Sequence, residues 1–168
     1  SDNLNGRALR ITGFSYFRLG KIELAVRYLE NALPLSRSYG DKLSLSNLLQ
    51  DLQVVYLRLG RMGEAAACLQ EVVAILRGLG SGSLLALGLN DLGYHYHQHG
   101  DYTQSFATFQ DGFQVIAPLN NRRIESYLLW SLGDLQRDLG NLHEGLRHYH
   151  QALEYTGTRE PSLRVGIL

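Results

Sequence analysis

The sequence predicts an all-α solenoid of four helix-turn-helix repeats, and three observations carry that prediction. Glycine recurs at Gly20, Gly60, Gly100 and Gly140, forty residues apart each time, and a fixed period of roughly 20–50 residues marks a stacked repeat. Columns around these glycines stay in phase. Counted from the glycine, position −11 holds Leu9, Leu49, Leu89 and Leu129, position −4 holds Tyr16, Tyr56, Tyr96 and Gln136, and position +9 holds Leu29, Leu69, Phe109 and Tyr149. The columns are also spaced as one helix face is, at −11, −8, −4 and −1 before the glycine and at +2, +5, +9, +12 and +13 after it. Strict alternation is absent and β-branched residues are few, so strands are not expected.

Each repeat reads helix A, tight turn, helix B. In the first, helix A over 3–19 carries Leu9, Thr12 and Tyr16, and helix B over 21–37 carries Ile22, Ala25, Leu29 and Ala32. The same columns predict helices over 42–59 and 61–78, over 83–99 and 101–117, and over 122–139 and 141–156. Glycine ends each helix A because a left-handed residue is wanted there. Small residues at −7 (Gly13, Gly93, Gly133, with Gln53 the exception) and at +5 (Ala25, Ala65, Ser105, Gly145) let A and B approach closely. Pro34 and Pro118 fall late in two B helices, where proline is expected to kink or end the helix. Turns with capping candidates separate the repeats at Tyr39-Gly40-Asp41, Gly80-Ser81-Gly82-Ser83 and Leu119-Asn120-Asn121. The repeats occupy 1–40, 41–80, 81–120 and 121–160 as one repeat domain. Residues 161–168 then begin a fifth helix A. Its Val165, Ile167 and Leu168 are apolar where a capping helix is polar, so the chain reads as a segment of a longer protein.

Composition narrows function. The 168 residues carry 16 Lys+Arg and 16 Asp+Glu, a net charge of zero, which argues against bulk phosphate binding and against a polybasic membrane anchor. Arginine is plentiful, but no dense basic stripe appears, so no direct nucleic-acid binding is expected. Cys68 is the single cysteine. It excludes an internal disulfide, suits a reducing, cytoplasmic compartment, and beside Ala65–Ala67 reads as a buried small hydrophobe. No apolar run approaches the roughly 18–20 residues that span a bilayer.

These columns resemble the tetratricopeptide repeat, most closely in the third unit with Leu89, Leu92-Gly93, Tyr96, Gly100, Tyr102 and Phe109. The usual unit is about 34 residues, so forty gives each helix nearly an extra turn. Units of this length are similar to those in the superhelical domain of MalT-type bacterial transcriptional regulators. Kinesin light chain and the Leu-Gly-Asn-rich cell-polarity adaptors use units of about this length too. The resemblance implies a right-handed superhelix whose concave groove, lined by the A helices, binds a protein or peptide. The family's groove positions, −13, −10, −6, −3 and −2, fall here on Arg7, Arg10, Phe14, Phe17 and Arg18; on Asn47, Gln50, Val54, Leu57 and Arg58; on Leu87, Asn90, Tyr94, His97 and Gln98; and on Tyr127, Trp130, Asp134, Arg137 and Asp138. The Lys/Asn clamp that chaperone-tail binders carry at −10 and −6 is matched only by Arg10, so no such tail is expected as partner.

Charge is uneven along the array. The first repeat has six basic and three acidic residues, the third has three Asp and neither Lys nor Arg, and the fourth has five basic and six acidic. The groove is therefore expected to be positive at its N-terminal end, a gradient able to orient a partner. His95 and His99 share a helix face and are weak metal candidates, with His143, His148 and His150 one repeat later; no Glu follows as in H-E-x-x-H. The alternative for His99 is a helix-end cap. No phosphate-cradling loop, dinucleotide fingerprint or nucleophile elbow is present, so neither an enzyme nor a cofactor is expected. The sequence thus points to an interaction scaffold, in a bacterial signalling or transcriptional regulator. A small-effector sensor stacking its ligand on Tyr94, Tyr127 and Trp130 is the alternative, and self-association through the array ends is a further expectation.

Overall fold

The structure, a computed structural model, describes residues 2–39 and 41–157. These form eight α-helices: α1 (Asp2–Arg18), α2 (Ile22–Ser38), α3 (Lys42–Arg58), α4 (Met62–Gly78), α5 (Gly82–Gln98), α6 (Tyr102–Ile116), α7 (Arg122–Asp138) and α8 (Leu142–Thr156). There is no strand among the described residues. The chain divides into two compact bodies, Ser1–Leu79 and Gly80–Leu168. In the N-terminal body α1 pairs with α2 and α3 with α4, and α2 packs on α3; in the C-terminal body α5 pairs with α6 and α7 with α8, and α6 packs on α7. The all-α helical-repeat fold is therefore as the periodicity predicts. The fifth helix A expected over 161–168 lies outside the described residues, as do Ser1 and Gly40.

The four repeat glycines occupy equivalent bends, with φ of 73°, 71°, 77° and 83° at Gly20, Gly60, Gly100 and Gly140. Each closes helix A in the same way. The glycine N–H donates to the carbonyl three residues back (Gly100 to His97, 3.0 Å), and the next N–H reaches five back (Asp101 to Tyr96, 3.0 Å). This pair of bonds satisfies carbonyls that the helix itself leaves open, and it needs a left-handed residue at the bend. Gly100→Ala is thus expected to cost about 1–2 kcal/mol, read as a lowered urea midpoint at unchanged helical signal. Asn120 takes the same region (φ 50°) between α6 and α7. Of the capping candidates between repeats, Asp41 accepts from the Ser44 amide (3.1 Å) and Asn121 from the Ile124 amide (3.3 Å).

Small residues at −7 work as sockets. A methyl group added to Gly13, Gly93 or Gly133 would lie 2.7 Å from Leu29, 2.6 Å from Phe109 and 2.5 Å from Tyr149, the +9 residues of their own repeats. At +5, a methyl on Gly145 would sit 3.1 Å from the Gly133 carbonyl oxygen. In these three repeats helix A thus offers a bare backbone patch against which helix B sets its +9 side chain.

Three expectations need correction. The −1 column is not core: Leu19 is 70% exposed and Leu139 is also exposed, because these residues sit beyond the last helical turn. The +2 column is likewise largely outside, with Met62, Tyr102 and Leu142 exposed. Pro34 does not end its helix, which runs on to Ser38. The proline is exposed while Ala32 is fully buried and Leu33 and Leu35 half-buried, so packing holds the last turn although one backbone bond is missing. Pro118 behaves as expected, since α6 ends at Ile116 and a single 3-10 turn, Ala117–Leu119, follows.

Candidate functional site

Positions −13, −10, −6, −3 and −2 fall within about 100° of arc on an α-helix, away from the −11, −8, −7 and −4 positions that meet helix B. Each body therefore presents one such face from its two A helices, and the two faces differ in chemistry.

On α1 and α3, Phe14 and Val54 at −6 are 37% and 38% exposed. Phe17 stacks on Phe14 with ring centroids 6.0 Å apart. Arg7, Arg18 and Arg58 are exposed, and Asn47 and Gln50 are half-buried. Arg10 does not stand free in a groove: its Nε donates to Asp51 Oδ2 at 2.6 Å, joining α1 to α3. Burial raises the Asp51 carboxyl above its ordinary value even against this arginine. Arg18 and Arg58 form no ion pair among the described residues.

On α5 and α7 the charges close on one another. His97, expected in the groove, is 5% exposed, and its Nε2 lies 2.9 Å from Asp138 Oδ2. A carboxylate can only accept, so Nε2–H is the donor in this bond, and Nδ1 is buried without a partner. Arg137 donates from Nε to Asp138 (2.9 Å) and from Nη1 to Asp134 (2.8 Å), and the Tyr149 hydroxyl donates to Asp134 at 2.7 Å. Arg137, with His97 behind it, holds the Asp138 carboxyl below its ordinary value. Trp130 is half-buried with its ring 5.6 Å from Tyr149. Tyr94 is 45% exposed and edge-on to His97, and the Tyr127 hydroxyl accepts from Arg123 Nε at 3.1 Å. The structure therefore gives Tyr94, Tyr127 and Trp130 separate neighbours, and Asn90 is half-buried one turn before Tyr94 on α5.

His95 and His99 stack at 4.2 Å, and His99 Nδ1 donates to the His95 carbonyl at 2.7 Å. His99 is the residue that caps α5, so the capping alternative is the one realised. No three His, Cys, Asp or Glu side chains converge among the described residues, and His143, His148 and His150 do not join this pair. Cys68 is buried, and desolvation pushes its thiol up to about 11. No described helix is long and apolar enough to cross a membrane.

All six histidines lie in repeats three and four. Burial holds His95 and His148 below the ordinary value of 6.5, helped by His99 and Arg147 respectively. The unfolded chain then takes up protons near pH 6.5 that the folded chain refuses, so stability present above that pH is lost as pH falls through it. Asp91 acts in the opposite sense and offsets part of this near the lower end of the range: its side chain touches water, yet desolvation by the surrounding protein pushes its carboxyl up to about 6. As pH falls from about 7.5 to 6, protection factors, corrected for the slower intrinsic exchange at lower pH, are expected to fall in residues 82–156 and to stay unchanged in 22–78. Equal change in both segments would refute the assignment.

These features define a helical-hairpin repeat protein that shows its polar and aromatic side chains on the A helices. Residues 7–78 match the family model of the tetratricopeptide repeat. No curated protein matches the sequence. Among solved structures, the chain is similar to BtubC (BKLC) from P. vanneervenii, at 17% identity and a TM-score of 0.81, over 93% of this chain and 65% of that one. It is also similar to the apo form of RapI, at 10% identity and a TM-score of 0.87, over 99% of this chain and 46% of that one. Aspartyl phosphate phosphatase F from Bacillus subtilis matches at 12% identity and a TM-score of 0.79, over 100% of this chain and 43% of that one. The chain thus spans less than two thirds of each of these three, and the likeness is one of fold.

Proposed function

We propose that the chain is a non-catalytic interaction scaffold that binds a peptide or helix of a partner protein on the faces of its A helices. The observation that carries this reading is the −6 column. Phe14, Val54 and Tyr94 recur at one repeat position and stand open to water on three A helices, and aromatic and apolar anchors among polar neighbours are the material of binding hot spots. A scaffold is favoured over an enzyme because Asp134 and Asp138, the carboxylates of the site, are already bonded to Arg137, Tyr149 and His97, and the one thiol is buried and protonated. The forty-residue period favours a segment of a MalT-type bacterial regulator over a shorter-unit scaffold, and a reducing, cytoplasmic setting suits the lone thiol.

The test is photo-crosslinking from a benzoylphenylalanine placed at Val54, at Tyr94 or, as control, at Gln110, which is exposed on α6. Discrete protein adducts are expected from the first two positions and none from the third. Adducts from Gln110 alone would overturn the reading.

A further inference from the structure

We infer that the A-helix face of the N-terminal body takes an acidic amphipathic segment of a partner protein, whose apolar side chains seat on Phe14 and Val54 and whose carboxylates meet Arg18 and Arg58. This rests on the scaffold reading and names the chemistry of its partner. The same columns differ in chemistry between the two bodies. At −3 and −2 the C-terminal body sets His97 against Asp138, 2.9 Å apart. The N-terminal body has Phe17 and Arg58 at those positions, so the −3 position of its first A helix offers no hydrogen-bonding group to the residue at −2 of its second. At −6 of the last A helix stands Asp134, bound by Arg137 and Tyr149; at −6 of α1 and α3 stand open apolar side chains.

Three other arginines of the N-terminal body are already matched, while Arg7 stands exposed at −13 of the same face. Arg10 meets Asp51 at 2.6 Å, Arg37 meets Glu71 at 2.7 Å, and Arg61 meets Glu30 at 3.0 Å and Glu64 as well. What recurs on this face is a pair: an exposed apolar residue and, four residues on, an exposed arginine, as Phe14 with Arg18 on α1 and Val54 with Arg58 on α3. Residues four apart stack on one helix face, so the pattern is an apolar row with a cationic row one turn away. The helix C-terminus accounts for a cation in the last turn, but it does not use the planar fork of guanidinium donors, which matches a carboxylate. Repeats one and two carry ten basic and seven acidic residues, against five and nine in repeats three and four, so the field also draws an acidic partner to this end. A nucleic-acid backbone would use the arginines and leave Phe14 and Val54 against water, which the apolar row disfavours.

The experiment measures fluorescence anisotropy of the full chain with labelled amphipathic peptides of about sixteen residues, carrying Leu at helical i, i+3 and i+4 anchors. One set has Glu at the flanking positions, a second has Lys, and a labelled oligonucleotide is the third probe. The Glu set is expected to bind more tightly than the Lys set, with affinity falling as salt rises. Arg18→Glu with Arg58→Glu is expected to weaken the Glu set by at least about tenfold and to reverse the preference toward Lys. Arg18→Gln with Arg58→Gln, which adds no like charge, is expected to lie between, and circular dichroism checks that each variant keeps its helices. Equal binding of both sets, no response to the arginine reversal, binding of neither set, or binding of the oligonucleotide alone would each overturn the inference. If crosslinks still form from Val54 in those cases, the scaffold reading stands and only the acidic partner falls. If Val54 and Tyr94 give no adducts, both fall.

Discussion

Phe109→Ala is expected to destabilise the C-terminal body by about 3–5 kcal/mol, the usual range for emptying a fully buried aromatic site. Phe109 is fully buried, and its ring lies where a methyl group on Gly93 would be, 2.6 Å away. Truncation therefore removes the knob and leaves a socket with no side chain able to fill it. Trp130, the single tryptophan, lies in the same body and reports the loss as a lower urea midpoint. Filling the socket gives a sharper test. Gly93→Ala alone is expected to destabilise, since its new methyl meets the ring and overpacking of about 1–3 kcal/mol outweighs the gain in helix propensity. In a Phe109→Leu background the same change is expected to cost less, because repeat two already sets Gln53 opposite Leu69. A coupling of about 0.5–3 kcal/mol between the two positions is expected. Strict additivity would show that helix A and helix B do not meet through this socket.

The sockets were legible because they recur; the pairings across the A helices were not, because each is made of different residues in each body. Position +5 holds Ala25, Ala65, Ser105 and Gly145, and any single-period reading finds that smallness. Arg10–Asp51 and His97–Asp138 share only an aspartate, which stands at −9 in one pair and at −2 in the other, so no column announces them. They do share a spacing of 41 residues, one more than the period, because the seam between neighbouring A helices runs from −10 to −9 and from −3 to −2. A scan for donor and carboxylate pairs at period plus one finds both. Without it, Arg10 and His97 read as groove residues. The bond from Tyr149 to Asp134 spans 15 residues across a hairpin and has no repeat counterpart. Periodicity erred in the other direction at Leu19, where an apolar residue in phase with the stripe sits past the helix end. At Pro34, local propensity yielded to the burial of Ala32 beside it.

Leu128→Ala carries the second large effect, about 2–5 kcal/mol, and it separates hairpins rather than helices. Leu128 is fully buried on α7 and packs in one core with Phe109, Ile116, Ile124, Leu132 and Leu135. A methyl on Gly112 of α6 would lie 2.8 Å from it, so this side chain is a central contact by which the fourth repeat rests on the third. The stability of a repeat array is approximately a sum of hairpin terms and nearest-neighbour interface terms. A lone helical hairpin is too small to bury an adequate core, so α7 and α8 depend on that interface term. Removing it is expected to let them open before α5 and α6 do. The signature is a urea transition of Trp130 fluorescence, which reports α7, at lower denaturant than the transition of the helical signal, together with faster hydrogen exchange over 122–156 than over 82–116. In the unaltered chain the Trp130 transition is expected to coincide with that of the whole C-terminal body. If it stays coincident after Leu128→Ala, the third and fourth repeats fold as one indivisible unit, and nearest-neighbour coupling does not describe this protein.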